Sequence, residues 1–442
     1  MAGRTPEGRF GVEDPRHHLC RRVRHVSARG RLGTALSQLV PGPPLRARLS
    51  RPELALHGSA ALSTLGIGLV VPILPSFALS LGGSSALVGL LIAAFAATRL
   101  LVALPAAWLA GTVGHRRLLI AGPAVTVPAA LLCALAGGFW TLAVFCVVEG
   151  AMAGTSSVAA TGLVLVDSEP RKAGRVLGSY QAASLAGASL GPLLGGLIGG
   201  QSGVRAVFVV YAAIAAVIAL WLHAAVRRPA GPPLPAAGRA QRGHLVVWRV
   251  LAARGLWPLW PLAFALAFAR IGTQLVAAPI VGARRLGLGP EEIGIALSIG
   301  GFASLAVFYP AGWLADRFGR KVAIVPGGLG SALALILLAV SDDYLDFLGV
   351  ALLLGIAVGL SGPSPIAHLA DAVPVTQRTL GVGVYRFAGE AGAVSAPALL
   401  GWSAGSGDFN LALFGSAILV ATAVAGFACL AASPERTGGP LP

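Results

Sequence analysis

The sequence predicts an all-α polytopic membrane protein whose twelve transmembrane helices form a six-plus-six pseudo-symmetric repeat. Three observations lead to this prediction. The chain is 56% hydrophobic and only 11% charged. Its apolar residues form twelve runs that are each long enough to cross a bilayer. Motifs in the first half recur in the second half at one fixed offset.

The composition excludes the common classes of water-soluble protein. Soluble globular proteins carry roughly 25% charged residues, and a chain with 11% lacks the polar atoms to cover its surface in water. A net charge of +16 would suit a nucleic-acid-binding protein, but the basic residues lie between apolar runs, where membrane topology explains them. The four cysteines show neither metal-ligand spacing nor a disulfide pattern. We therefore expect no nucleic-acid partner, no metal and no cofactor.

The twelve spans are delimited by charged clusters, Gly and Pro. A transmembrane helix needs about 20 apolar residues. The uncharged run between Glu53 and Arg99 is too long for one span, and the segment 82–85 (Gly-Gly-Ser-Ser) divides it into two. The predicted spans are 55–80, 86–109, 118–137, 140–165, 176–199, 205–226, 257–281, 291–314, 322–340, 347–370, 380–403 and 409–432.

The basic residues predict the orientation. If the N-terminus is cytoplasmic, the loops on that side carry 16 basic residues outside the N-terminal tail. The opposite loops carry three, namely Arg205, Arg284 and Arg285. Because cytoplasmic loops are enriched in Lys and Arg, both termini are predicted to be cytoplasmic. The Ala-, Gly- and Arg-rich composition suggests a high-GC bacterial genome and hence the cell membrane.

Five segments describe the predicted domain organisation. Residues 1–53 form a basic cytoplasmic tail with few acidic residues, which we expect to be disordered. Residues 54–226 form the first six-helix half and residues 257–432 the second. The Pro- and Arg-rich stretch 227–256 is a cytoplasmic linker, and residues 433–442 are a short cytoplasmic tail.

The internal repeat has a constant offset of 205 residues. The coinciding residues are Gly178/Gly383, Tyr180/Tyr385, Gly187/Gly392, Pro192/Pro397 and Gly196/Gly401, and, in a separate segment, Trp108/Trp313 and Gly114/Gly319. One offset across two segments indicates duplication of a six-helix unit. In transporters built this way, the substrate site lies between the repeats near the bilayer midplane.

Two motifs are more specific. A short turn between spans 8 and 9 carries Gly312, Asp316, Arg317, Gly319, Arg320 and Lys321. Its small residues allow a tight turn, and Asp316 is expected to face a helix N-terminus, where an anion is favoured.

Span 5 carries the second motif, which comprises Gly178, Gly187, Gly191, Pro192, Gly195 and Gly196. Three of these glycines recur every four residues, which places them on one helix face that another helix can approach closely.

These motifs resemble those of the major facilitator superfamily, over roughly residues 54–432. The span 8–9 turn matches the superfamily's loop signature. The glycine and proline spacing of span 5 is similar to the antiporter motif of the twelve-span drug:proton antiporter branch. The resemblance implies the major facilitator fold, with the antiporter motif at the interface between halves and a cavity lined by spans 1, 2, 4, 5, 7, 8, 10 and 11.

The sequence departs from the family pattern at two places. The first copy of the loop signature, at 107–116, has lost its first Gly, its Asp and its first Arg. In span 4, Cys146 stands where the family has an arginine to which it assigns proton transfer.

Five ionisable residues lie well inside spans, where a charge is costly. They are Arg99, Glu149, Arg270, Arg386 and Glu390. Arg386 and Glu390 are four residues apart and share a helix face, so they form either a self-neutralising pair or a gate or substrate contact. Spans 2 and 11 meet in this family, which makes Arg99–Glu390 a predicted ion pair between the halves.

Glu149 and Glu390 are the proton-coupling candidates, because only these two carboxylates lie deep in the membrane. Glu149 has no basic residue within a turn on its own helix, so we expect it to be the main proton site. The competing interpretation is a static pair between Glu149 and Arg99. His368, near the cytoplasmic end of span 10, is expected to be solvated or to cap a helix.

The predicted function is a secondary active exporter of small amphipathic, drug-like compounds, working by alternating access and driven by proton antiport. The predicted partners are the substrate, protons and the lipid bilayer, and the expected state is a monomer. One alternative is an exporter of an anionic metabolite, because the five mid-span charges sum to +1. The other is a major facilitator carrier that is not an antiporter. A receptor or scaffold would need a larger soluble domain than any loop provides. No nucleophile–base constellation suggests an enzyme.

Overall fold

The computed structural model describes residues 51–167, 170–225, 256–362, 364–372 and 378–431. These ranges are almost entirely helical and contain no strand. The predicted N-terminal tail, linker and C-terminal tail lie outside the described residues, apart from residues 51–53 and 256.

Twelve helical segments, α1 to α12, follow one another within these ranges. They are α1 (Arg51–Val70 and Leu74–Ser80), α2 (Ser85–Val113), α3 (His115–Ala134), α4 (Phe139–Asp167), α5 (Pro170–Ser202), α6 (Val204–Ala225), α7 (Leu259–Gly272 continuing to Arg285), α8 (Pro290–Phe318), α9 (Lys321–Val340), α10 (Tyr344–Ser361 and Ser364–Ala372), α11 (Arg378–Ser406) and α12 (Phe409–Leu430). Eleven of these are long and apolar enough to cross a membrane. The exception, α11, has 29 residues but is more polar, because it carries Arg386 and Glu390.

Short turns make consecutive helices antiparallel. We call the side at which α1 begins the proximal side, and the opposite side the distal side. On the proximal side, Gly114 joins α2 to α3 with a φ of 95°, and Gly319 begins the turn from α8 to α9 with a φ of 100°. Glycine adopts positive φ without steric cost. The two turns stand at equivalent positions, which agrees with the predicted repeat.

Basic side chains bind carbonyl groups at or near the C-terminal ends of five helices. The donor–acceptor pairs are Arg116–His223 and Lys321–Ala428 on the proximal side, and Arg205–Ala136, Arg284–Ala404 and Arg285–Ala339 on the distal side. The last carbonyls of a helix lack intrahelical partners and lie at the negative end of its dipole. These cations therefore stabilise the helix ends.

The helix α7 changes type along its length. Its residues Thr273–Ala277 and Val281–Arg285 are π-helical, and the short α-helical turn Ala278–Ile280 lies between them. Pro279 in that turn cannot donate a backbone hydrogen bond, and its ring crowds the preceding turn. The wider π turns accommodate this local disruption. The helix ends at Arg285, four residues beyond the predicted span.

The same helix pairs pack together in both halves. In the first half α1 packs on α5, α2 on α4 and α3 on α6; in the second, α7 packs on α11, α8 on α10 and α9 on α12. The halves meet where α5 packs on α8 and α2 on α11. Within the first half, the rings of Trp221 and Tyr211 fill the spaces beside Gly58 and Gly66 of α1. This contact fixes the position of Tyr211 in the interior.

Candidate functional site

The glycine row of α5 packs against α1. A Cβ at Gly187 would collide with Ala61, one at Gly191 with Gly68, and one at Gly195 with Leu69. The predicted close approach of another helix is therefore present. Its partner belongs to the same half, whereas the family resemblance implied an interface between halves. Gly178 also lies in α5.

Two other members of the span 5 motif do lie at the junction of the halves. Pro192 and Gly196 contact Gly294 of α8 so closely that a Cβ on Gly294 would meet the Pro192 carbonyl. On the other side of the molecule, Gly89 of α2 makes a similarly close contact with Pro397 and Gly401 of α11. We call these two contacts the distal seams, because both lie near the distal ends of their helices.

An ion pair joins the halves near the middle of α2 and α11. Nη2 of Arg99 in α2 donates to both carboxylate oxygens of Glu390 in α11, at 2.5 Å. The two side chains are 33% and 28% exposed. The predicted contact between spans 2 and 11 is thus present. The self-neutralising pair of Arg386 with Glu390 is wrong, because Arg386 is exposed and makes no hydrogen bond or ion pair with any described residue.

A third charge lies beside this pair. Arg270 of α7 is close enough to Arg99, Glu390 and Tyr385 to interact with them electrostatically. It lies in the middle of a membrane helix, is exposed, and stands beside the ion pair that joins the halves. The cluster of Arg99, Arg270 and Glu390 carries one net positive charge.

Glu149 lies in a different environment. It is 7% exposed, and Tyr211 of α6 donates a short hydrogen bond to its Oε1. Thr126 of α3 donates to its Oε2 at 3.0 Å. Among the described residues its hydrogen-bond partners are thus two hydroxyls and no cation. The static pair with Arg99 is not formed, because Arg99 binds Glu390 instead.

Glu149 lines a cavity of about 260 Å³ inside the first half. The cavity extends from Glu149 towards the proximal side, and all of its walls come from α1 to α6. Its polar lining comprises Ser59, Ser63, Thr64, Arg99, Thr126, Glu149, Ser156, Ser157, Tyr180, Gln181, Ser184 and Tyr211. Glu149 is the only carboxylate of this lining, and Arg99 is the only cation.

A second cavity, of about 60 Å³, adjoins the first on the distal side. It is lined almost entirely by apolar side chains, including Val70, Leu74 and Phe145. Glu149 and Tyr211 line both cavities. The carboxylate is therefore part of the wall between a polar compartment and an apolar one.

The span 8–9 motif forms an ionic cluster on the proximal side. Arg320 forms ion pairs with Asp316 and with Asp371 of α10, the latter at 3.0 Å. Partial burial alone would lower the pKa of Arg320, but the two carboxylates outweigh it and raise that pKa. Asp316 was expected to face a helix N-terminus; its partner among the described residues is the side chain of Arg320, the residue that precedes α9.

The other residues of the motif contact neighbouring groups or open space. Lys321 donates to the carbonyls of Ala428 and Ala431 at the end of α12. The guanidinium of Arg317 lies 5.5 Å from the centre of the Trp313 ring. Gly312 has no neighbour within 4 Å of a Cβ placed there, so close packing does not explain that glycine.

Some functional candidates were missed or misplaced by sequence analysis. Tyr211 and Thr126 donate hydrogen bonds to Glu149. Each is a single polar residue in an apolar helix, and the sequence does not show which way such a side chain points. His368 was expected to be solvated or capping, yet it is 1% exposed, and its ring meets that of Phe427 edge-on. In the described part of the chain, no group of three His, Cys, Asp or Glu residues could hold a metal ion.

Comparison with known proteins places these features in a family context. The profile of the Major Facilitator Superfamily matches residues 56–281 and 262–442. The probable sulfoacetate transporter SauU of Cupriavidus necator is 28% identical over 126 residues, and the quinolone resistance protein NorA of Staphylococcus aureus is 30% identical over 137. The matches cover 28% and 31% of this chain, and 29% and 35% of those relatives, so the chain spans about a third of their length.

Two solved structures share the fold. A bacterial homologue of the human lysosomal transporter Spinster superposes with a TM-score of 0.69 at 18% identity, over 85% of this chain and 95% of that one. The nucleoside transporter NupG superposes with a TM-score of 0.71 at 11% identity, over 86% and 99%. At these identities the likeness concerns the fold alone.

Proposed function

Because the chain belongs to the Major Facilitator Superfamily, we propose that it is a proton-coupled exporter of small amphipathic compounds. Members of this family move small molecules across a lipid bilayer. Beyond family membership, the proposal specifies that the direction is export, that protons move in the opposite direction, and that the substrate is drug-like. No enzymatic activity is part of it.

The observation that carries the proposal is the setting of Glu149. An antiporter needs a group that takes up a proton in one step and releases it in another, so its surroundings must tolerate both states. The hydroxyls of Tyr211 and Thr126 do so, because a hydroxyl donates to a carboxylate and can accept from a carboxylic acid. A neighbouring cation would hold the group charged, which is the situation of Glu390 beside Arg99.

The location of Glu149 also suits alternation between two sides. On the proximal side it borders the polar cavity, and on the distal side it borders the small apolar one. Separation of the halves at the distal seams would open the apolar cavity to the distal side. Protons would then reach Glu149 from that side, while substrate would enter from the proximal side.

Orientation and assembly complete the proposal. We place the proximal side in the cytoplasm, because the basic residues concentrate in its loops, and the protein in the cell membrane as a monomer. The partial similarity to the quinolone resistance protein NorA supports a role in drug efflux.

A second candidate function rests on the charges between the halves. Arg99, Arg270 and Glu390 sum to one positive charge, and Arg270 is exposed. An anionic metabolite would be attracted to such a cluster. The partial similarity to a probable sulfoacetate transporter supports this alternative.

Transport into inverted membrane vesicles tests both functions. The vesicles are given an acidic lumen and offered a panel of cationic, neutral and anionic amphipathic compounds. We expect a cationic or neutral compound to accumulate and the accumulation to vanish when an ionophore collapses the pH gradient. Accumulation of anions alone would favour the second function, and accumulation that ignores the gradient would refute proton antiport.

A further inference from the structure

The cavity in the first half has the features of a binding site that its repeat counterpart lacks. Glu149 and its two hydrogen-bond donors, Thr126 and Tyr211, correspond, 205 positions later, to Leu354, Ser331 and Ser416. Leu354 is buried and apolar, and each of the two serines donates to a carbonyl of its own helix. The second half thus shows that this fold packs well without a carboxylate at this position. The polar cavity is an addition to the first half and not a requirement of the fold.

The walls of the cavity have unused hydrogen-bonding capacity. Five polar side chains that line it make no hydrogen bond with any described residue, namely Ser63, Ser156, Ser157, Tyr180 and Gln181. Ser157 and Gln181 are exposed, and the polar atoms of Ser63, Ser156 and Tyr180 are not fully buried, so each of these side chains can bind a ligand or water. A ligand with many hydroxyl groups would satisfy this lining better than an apolar one, which would leave these groups unpaired.

The charge of the cavity indicates the charge of its ligand. The cationic lining residue, Arg99, is already neutralised by Glu390 at 2.5 Å. Glu149 has no such partner, and each of its oxygens uses one lone pair for Tyr211 or Thr126 and keeps another free. An ammonium group at this end of the cavity would therefore meet an uncompensated carboxylate.

The size of the cavity limits the ligand. About 260 Å³ is slightly below the range of roughly 300–1,000 Å³ that is typical of sites for drug-sized ligands. A single sugar ring or an amino alcohol fits this volume. Taken together, the geometry points to a site in the first half that binds a small, hydroxyl-rich organic ammonium ion, with the ammonium group at Glu149.

This inference rests on the proton antiport of the proposed function, since it names the class of compound that exchanges with the proton at Glu149. It replaces the amphipathic, drug-like substrate of that proposal with a more polar one. When the carboxyl group is protonated, the cavity has no net charge to hold an ammonium ion. Binding of proton and ligand is then mutually exclusive, as antiport requires.

Three probes with the same ring test the site. Glucosamine, glucose and glucuronate differ in charge and share a hexose skeleton. Their binding to the purified full-length protein is measured by calorimetry at neutral pH. A charge-assisted hydrogen bond makes glucosamine bind about ten-fold more tightly than glucose, and glucuronate the most weakly.

Variants assign the binding to this cavity. Glu149→Gln should reduce the affinity for glucosamine to that for glucose, without changing the affinity for glucose. Gln181→Leu should weaken both sugars several-fold, because it removes a hydrogen-bonding group common to both complexes. The matched control is Asp408→Asn, which removes an exposed carboxylate whose side chain caps no helix. It should bind all three probes like the parent protein.

Several outcomes would overturn the inference. They are tightest binding of glucuronate, no binding of any probe, and a preference for glucosamine that survives in a correctly folded Glu149→Gln variant. Gel filtration checks folding, and the Gln181→Leu variant tests the cavity independently if Glu149→Gln does not fold. Failure of the proposed function differs from failure of this inference. If only the proposed function fails, the protein binds glucosamine but shows no flux driven by a pH gradient.

Discussion

Gly89 and Gly294 stand 205 residues apart and contact equivalent residues of opposite halves. Gly89 of α2 fits against Pro397 and Gly401 of α11, and Gly294 of α8 fits against Pro192 and Gly196 of α5. These partners are themselves 205 residues apart. The span 5 motif therefore has a structural counterpart in α11, and the two distal seams are related by the internal repeat.

Alanine at either seam glycine should open the distal side. A Cβ at Gly89 or Gly294 collides with a proline carbonyl, and backbone cannot move aside as easily as a flexible side chain. We expect transport by Gly89→Ala or Gly294→Ala to fall by about ten-fold. The readout is a cysteine introduced at Ala86, which lies next to Gly405 across the seam between α2 and α11. In a background without native cysteines, a thiol reagent should label this cysteine faster in the seam variants than in the parent. Gly415→Ala, which has open space around it, is the control, and unchanged labelling in the seam variants would contradict the prediction.

The Arg99–Glu390 ion pair should be necessary for switching. Arg99→Gln or Glu390→Gln leaves one charge without its partner, so we expect transport to fall by about ten-fold in each. Exchange of the charges, with Arg99→Glu and Glu390→Arg in one protein, should recover part of the loss. Initial rates of substrate flux measure this. Parent-like rates in both single variants would mean that the pair has no part in the cycle.

Glu149→Gln should uncouple transport from the pH gradient. The amide keeps the size and the contacts with Tyr211 and Thr126 but does not exchange a proton near neutral pH. Accumulation against a gradient should be lost, while exchange of a neutral substrate down its own gradient persists. Glu390→Gln is the comparison, since it is expected to slow transport without removing its pH dependence. If Glu149→Gln still accumulates substrate and Glu390→Gln does not, the two roles must be exchanged.

Asp316→Asn should lower transport while the protein is still produced and inserted. The change weakens one of the two ion pairs that hold Arg320 between the α8–α9 turn and α10. The control is Asp342→Asn, which weakens an ion pair with Arg285 in a distal loop where the carboxylate is 81% exposed. Both carboxylates are exposed, Asp316 at 68%, so neither pair contributes much to stability. We expect Asp342→Asn to behave like the parent because its pair lies away from the α8–α9 turn and from the contact of that turn with α10. Equal transport by both variants would show that the motif pair is dispensable.

Hydropathy and repetition were sufficient to predict the helices, because the bilayer requires long apolar segments whatever their neighbours are. The Arg99–Glu390 contact was also predictable, once the family arrangement had brought spans 2 and 11 together. The rotation of each helix about its own axis was not predictable, and it decides which side chains meet in the interior. It brings Tyr211 and Thr126 to Glu149 and buries His368 against Phe427. The side-chain conformation of Glu390 directs its carboxylate to Arg99 and not to Arg386 on the same helix.

The three arginines on the distal side add to the asymmetry of charge between the two faces of the protein. Arg205, Arg284 and Arg285 are each bound to a backbone carbonyl at or near a helix end. Each of them therefore has one donor group occupied by the negative end of a helix, and Arg285 also pairs with Asp342. An anionic lipid headgroup approaching from that leaflet would find few cations free to bind it. Preference for acidic lipids should therefore be confined to one leaflet, the one that faces the α8–α9 turn.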